Sequence, residues 1–123
     1  MDILEISSKK ALDFIKDRDM AALDNSYVSS IQEIELAYSL SEDAFKNNKN
    51  IAKKLKYEFL LWLTGKNDIK RALEETTPKS EPFLVVVFSG KEDLKEFHPK
   101  KCGLKKMADP LALEKISLSR IKN

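Results

Sequence analysis

The chain has 123 residues, 42% hydrophobic and 34% charged, with 3 Gly, 4 Pro and a net charge of +2, which suits an ordinary globular domain and excludes disordered, collagen-like and disulfide-rich classes. One cysteine, Cys102, excludes an internal disulfide, and one histidine, His98, leaves too few soft ligands for a closed zinc site, so neither a structural metal nor a cofactor is expected. The longest apolar run, Pro82 to Phe88, is far short of the ~20 residues of a membrane helix, and no basic-then-apolar leader opens the chain, so a single cytoplasmic domain over residues 1–123 is expected.

Asp2 to Ile6 alternates polar and apolar residues and predicts a short opening strand. Ser7 and Ser8 offer an N-cap to a short helix carrying Ala11, Leu12 and Ile15, ending near Asp17, and Met20 to Leu23 reads as a second strand. Ser30 followed three residues later by Glu33 fits a capping box, opening a long helix whose apolar positions include Ile31, Ile34, Ala37, Tyr38 and Phe45. Asn50 is placed to cap the next helix, whose Phe59-Leu60-Leu61-Trp62-Leu63 end is apolar all round, while Lys53, Lys54 and Lys56 keep its start near water. Gly65 closes that helix, and Asn67 caps another that turns Ile69, Ala72 and Leu73 inward and Lys70 and Arg71 outward. Phe83 to Phe88, β-branched, aromatic and uninterrupted, predicts a central strand buried on both faces or nearly so. A short helix from about Lys91 to Phe97, a basic connection from His98 to Met107, a helix opened by Asp109 and Pro110, and an edge strand over Ser117 to Ile121 complete the chain.

The net charge hides an uneven distribution. Residues 1–45 carry 4 basic against 10 acidic side chains, a balance of −6, whereas residues 46–71 carry 8 against 2, a balance of +6. Residues 91–106 add a smaller excess of +3. A positive stripe on an otherwise acidic body suits phosphate-backbone binding through counterion release, and a lysine-rich solvated helix face is the plainer alternative.

Catalytic signals are weak. His98 and Cys102 leave a Cys–His dyad open, without a Gly-rich oxyanion turn beside it. Gly90-Lys91 follows a strand but lacks the upstream Gly and the following Ser or Thr of a phosphate loop. Glu58 stands out differently. It lies seven residues after Ile51 and four before Trp62, on the apolar face of its helix, where an unpaired carboxylate is costly. It is therefore expected to be a buried structural carboxylate held by backbone donors or by a Lys or Arg, with contact in a ligand pocket as the alternative.

Asn50-Ile51-Ala52-Lys53-Lys54-Leu55, then Glu58-Phe59-Leu60-Leu61-Trp62-Leu63-Thr64-Gly65, then Ile69-Lys70-Arg71-Ala72-Leu73 resembles the Cgi-type family of KEOPS regulatory subunits, also known as TPRKB or PRPK-binding proteins. The closing Leu113-Glu114-Lys115-Ile116-Ser117-Leu118 is similar to that family's final helix, and Phe83 to Phe88 takes the place of its apolar strand. The chain departs from the family at Asn67 and Asp68, where members often carry Arg and Gln, and at Gln32-Glu33-Ile34, where they often carry His.

The resemblance implies an α+β fold, a two-layer α/β arrangement with helices packed on a small mixed sheet. It also implies a noncatalytic subunit of the complex that installs threonylcarbamoyladenosine in tRNA. Such a subunit binds the Bud-type small protein kinase of the complex and recruits tRNA through its 3′ CCA end. Single-stranded RNA ends are held by basic grooves with stacking surfaces, and the expected RNA-binding cluster is Lys53, Lys66, Asn67, Lys70 and Arg71, around the junction of two helices, one of whose N-termini offers further donors to phosphate. The alternatives are a docking module without RNA binding and a small enzyme using His98 and Cys102.

Overall fold

The computed structural model describes residues 1–89 and 94–118. Along the chain these form β1 (Asp2–Ile6), α1 (Ala11–Lys16), β2 (Met20–Leu23), α2 (Ile31–Lys46), α3 (Leu55–Thr64), α4 (Ile69–Thr76), β3 (Phe83–Val87), β4 (Lys100–Lys101) and α5 (Pro110–Ser117). The fold class is α+β, as expected. Two compact units share the chain, one built from Met1–Tyr27 and Thr76–Gly103, the other from Val28–Glu75 and the segment from Leu104 onward.

The first unit holds the sheet, in the order β2-β3-β1-β4. β3 lies antiparallel to both neighbours, with Phe83 opposite Ile6, and Val87 opposite Asp2 on one side and Met20 on the other. β1 and β2 therefore run the same way, as the strands of a β-α-β unit do, but β3 inserts between them. β4 is antiparallel to β1 as well, so every pairing between the named strands is antiparallel, where a mixed sheet was expected. All five β3 residues are buried. Phe83, Val85 and Val87 share a face with Ile6 and Met20, and Ala11 and Ile15 of α1 pack into that cluster together with Leu94.

Three local expectations change in this unit. The N-cap of α1 is Lys10, with no side-chain cap bond, because the amides of Ala11 and Leu12 bond instead to the carbonyls of Ser8 and Lys9 in a tight turn. Of the helix expected over residues 91–97, Lys95–Phe97 forms a single 3-10 turn, and residues 91–93, like the Gly90-Lys91 step, lie outside the described residues. The connection after His98 contains β4, whose Lys100 and Lys101 pair with Glu5 and Leu4. Exposed lysines on so short an edge strand discourage further pairing.

Asp24 organises the turn after β2. Its carboxyl is held below the usual carboxylate value, first by the backbone N–H of Lys79, which donates at 2.9 Å, and then by the Ser26 hydroxyl. A folded-state value below the unfolded one adds stability above the unfolded value, and that stability is lost as pH falls through the folded one. Asp24→Asn should therefore be less stable than the parent at about pH 6, with a narrower gap at about pH 3, below the ordinary carboxylate value. Urea midpoints at the two pH values test this, and a gap that stays constant refutes it.

The second unit is helical. Ser30 opens α2 with the expected capping box: its hydroxyl accepts from the Glu33 amide at 3.3 Å, and Glu33 Oε2 accepts from the Ser30 amide at 2.8 Å. At the other end Asn48 takes φ 56, a left-handed position that asparagine tolerates, and the Lys49 amide reaches back to the Ala44 carbonyl at 2.8 Å. The buried stripe of α2 includes Ile34, Ala37, Ser41 and Ala44, mostly small residues that allow close approach, and both α3 and α5 pack against this helix. The lead-in to α5 is tied to the start of α2, with the Ile31 amide on the Lys105 carbonyl at 2.8 Å and the Ala108 amide on Gln32 Oε1 at 2.9 Å. Asp109 caps α5 by accepting from the Leu111 amide at 3.1 Å, with Pro110 at the first turn as expected. The edge strand expected from Ser117 does not begin there, because Ser117 completes α5 and its hydroxyl donates to the Glu114 carbonyl. Residues 119–121 of that expectation lie outside the described residues.

Candidate nucleic-acid interface

The basic stretch maps onto α3 and the turns at its two ends. Apolar all round through Leu63, α3 is nearly all buried and rigidly placed. At its C-terminus Gly65 adopts φ 74, a conformation glycine takes without strain, and its amide bonds to the Leu61 carbonyl at 2.9 Å. The Thr64 hydroxyl donates to the Leu60 carbonyl at 2.8 Å and accepts from the Lys66 amide at 3.2 Å, fixing the direction in which the chain leaves the helix.

Asp68, not Asn67, caps α4. Its Oδ1 accepts from the Lys70 amide at 3.0 Å, and its carbonyl accepts from the Ala72 amide at 3.0 Å. Asp68 directly precedes Ile69, the first residue of the helix, and that adjacency is the signal that favours it over Asn67. The junction between α3 and α4 is thus closed at both ends and leaves Lys66, Asn67, Lys70 and Arg71 exposed. Asp68 offsets part of that positive charge. Its Oδ2 lies 3.9 Å from Arg71 Nε in a solvated pair that contributes little to stability. The same carboxylate also occupies the start of α4, so a phosphate there meets a negative charge as well as free amides; the cationic side chains, not the helix end, are what the junction offers an anion.

Lys53 does not belong to that cluster. α3 begins at Leu55, because the amides of Ile51 and Ala52 donate to Glu58 Oε1, each at 2.9 Å, and this draws residues 51–54 into a bend where a helix from Asn50 was expected. Asn50 does not cap α3, and its side-chain amide donates to the Ala52 carbonyl at 2.8 Å. Lys53 and Lys54 sit on this bend, separated from Lys66 by the 10-residue length of α3, about 15 Å.

Glu58 is 0% exposed, and its second oxygen accepts from Trp62 Nε1 at 3.1 Å. Backbone and indole donors thus meet the need for partners that its position on the apolar face created. Lys56 differs from expectation: it is 6% exposed, with its ammonium 5.5 Å from the Tyr57 ring centroid, so its stem is buried beside an aromatic face. Ile69 and Leu73 also differ, at 36% and 37% exposed, so only Ala72 of the three expected inward residues is fully covered. On so short a helix the four-residue spacing of Ile69 and Leu73 mimics a core face.

The other candidate chemistry is not assembled. His98 is exposed, with φ 50 at the end of the 3-10 turn, Cys102 is half-buried, and no side-chain hydrogen bond joins them. Among the described residues no group of three or more His, Cys, Asp or Glu side chains is placed to hold a metal ion, and no helix is long and apolar enough to cross a membrane. A distinct surface feature is an open groove of about 300 Å³ along α2 and α5, lined by Gln32, Glu35, Leu36, Ser39 and Leu113. In the same unit, Met107 and Leu111 are 69% and 72% exposed.

No protein-family model matches the chain, and no curated protein matches it.

Proposed function

We propose that this chain is a noncatalytic regulatory subunit of the KEOPS complex, the assembly that makes threonylcarbamoyladenosine in tRNA. It binds the Bud-type kinase subunit and recruits tRNA through the 3′ CCA end, in the cytoplasm. The observation that carries this reading is the rigid α3–α4 junction, with Lys66, Asn67, Lys70 and Arg71 exposed around a turn pinned by Gly65, Thr64 and Asp68. Cations carried on an already ordered backbone meet phosphate with no further backbone to order, which suits a site for a flexible RNA end. The resemblance in the three segments from Asn50 to Leu73 supplies the family context.

A second reading, a protein-docking module that does not bind RNA, is favoured by the groove along α2 and α5 and by exposed Met107 and Leu111, since exposed apolar residues of that size suit a protein partner. One titration separates the two. Intact tRNA should bind with an affinity that falls with added salt and falls again when the 3′ CCA is removed. Binding that is absent, or indifferent to both changes, favours the docking module; retention of the purified kinase on the immobilised chain then tests that partner directly.

A further inference from the structure

We propose that the turn from Ile51 to Tyr57 is a second nucleic-acid subsite, in which Lys53 and Lys54 neutralise backbone phosphates and the Tyr57 ring receives an unpaired base. The inference rests on the tRNA reading above and extends it to the opposite end of α3.

Charge favours this end of the helix. From Ala44 to Tyr57 the chain carries five lysines and no Asp or Glu, whereas the α3–α4 junction mixes its three cations with Asp68. Among the described residues Lys53 and Lys54 have no ion-pair partner, so approach of a phosphate breaks no existing pair. Their backbone is already ordered: Glu58 holds the Ile51 and Ala52 amides, and the Lys54 carbonyl accepts from the amides of Tyr57 and Glu58 at 3.1 and 3.0 Å. The lysines therefore project from a fixed bend and not from a loose loop.

Tyr57 adds what a phosphate site alone lacks. It stands in the first turn of α3, half-buried, with the Lys56 ammonium 5.5 Å from its ring centroid. A partly exposed aromatic ring beside cations is the pairing of stacking surface and charge that sequence-tolerant single-strand binding uses. Exposed Ile51, at 53%, widens the apolar surface of the same turn.

Distance makes the two ends a tract. The length of α3, about 15 Å, exceeds the phosphate spacing of a single strand, so one terminal nucleotide cannot touch both ends. An RNA whose 3′ terminus occupies the α3–α4 junction reaches Lys53, Lys54 and Tyr57 only with nucleotides that precede that terminus.

The test compares K53E/K54E with K70E/R71E, each titrated with intact tRNA and with tRNA lacking its 3′ CCA. K53E/K54E should weaken binding of both RNAs roughly tenfold, because Lys53 and Lys54 meet phosphates upstream of the terminal nucleotide and trimming leaves others within their reach. K70E/R71E should weaken intact tRNA and leave the trimmed RNA little changed. Tyr57→Leu, which keeps an apolar side chain, should weaken binding without lowering its salt dependence, the mark of lost stacking. If K53E/K54E leaves both affinities unchanged while K70E/R71E lowers the first, the second subsite is wrong and the α3–α4 site stands. If neither double variant changes tRNA binding, the RNA lies away from both ends of α3 and both placements are wrong; if the parent chain binds no tRNA, the tRNA reading itself fails, and salt-sensitive binding of an acidic protein becomes the meaning of the lysines. K53Q/K54Q, which removes charge without reversing it, replaces the reversal variant if that chain does not fold.

Discussion

Glu58→Ala is expected to destabilise the protein by about 3–5 kcal/mol. The carboxylate is 0% exposed and accepts from the Ile51 amide, the Ala52 amide and the Trp62 indole N–H. Truncation leaves those donors without their acceptor, and at Ala52, 2% exposed, water replaces it poorly. Ile51 is 53% exposed, so its amide is more easily rehydrated, which keeps the cost below three full orphaned donors. Glu58→Gln should fall between parent and alanine, at about 1–2 kcal/mol, because it keeps one carbonyl oxygen but presents an NH2 group where a second acceptor was needed. Urea unfolding with an unchanged slope measures both. Equal losses for the two variants, or a loss below about 1 kcal/mol for alanine, would show that packing and not hydrogen bonding holds the bend. The loss also bears on function, since the bend that carries Lys53 and Lys54 is ordered by this carboxylate.

Much of this was legible because the signals were local. The Ser30–Glu33 box reads directly as the start of α2, Asp109-Pro110 as the start of α5 and Gly65 as the end of α3, since each satisfies backbone groups within a few residues. The unbroken run in β3 reads as a buried strand because successive apolar residues leave neither face of the strand polar. Where the sequence misled, the deciding partner lay further off. Asn50 obeys every local rule for an N-cap, yet Glu58, several residues along, takes the Ile51 and Ala52 amides and delays the helix to Leu55. The strand directions needed to know that β3 inserts between β1 and β2, which no periodicity encodes. β4 is too short and too basic to carry a strand pattern of its own. For the candidate site, the balance of +6 over residues 46–71 needed no fold to find, but its division between the two ends of α3 did. Lys53 lies at the opposite end of α3 from Lys70 and Arg71, and the length of that helix, about 15 Å, sets the two clusters apart whether it starts at Asn50 or at Leu55.

K70E/R71E is expected to lower the affinity for intact tRNA about a hundredfold at low salt, and to flatten the plot of log affinity against log salt by about 0.7 for each phosphate left without a neutralising cation. Both side chains are exposed at the start of α4, so the fold should survive, and an unchanged circular dichroism spectrum and melting midpoint would confirm it. Asp68 makes the argument two-sided. Its carboxylate caps α4 through the Lys70 amide and lies 3.9 Å from Arg71, so it opposes the approach of phosphate while ordering the turn. Asp68→Asn keeps a good N-cap and removes the opposing charge, and it should raise affinity and steepen the salt dependence at little cost in stability. Weaker binding in K70E/R71E together with a gain in Asp68→Asn places the phosphate beside the cations of this junction. Weaker binding in both would mean instead that the carboxylate orders the RNA-binding turn more than it repels the RNA. An unchanged affinity in K70E/R71E would move the RNA away from α4 altogether.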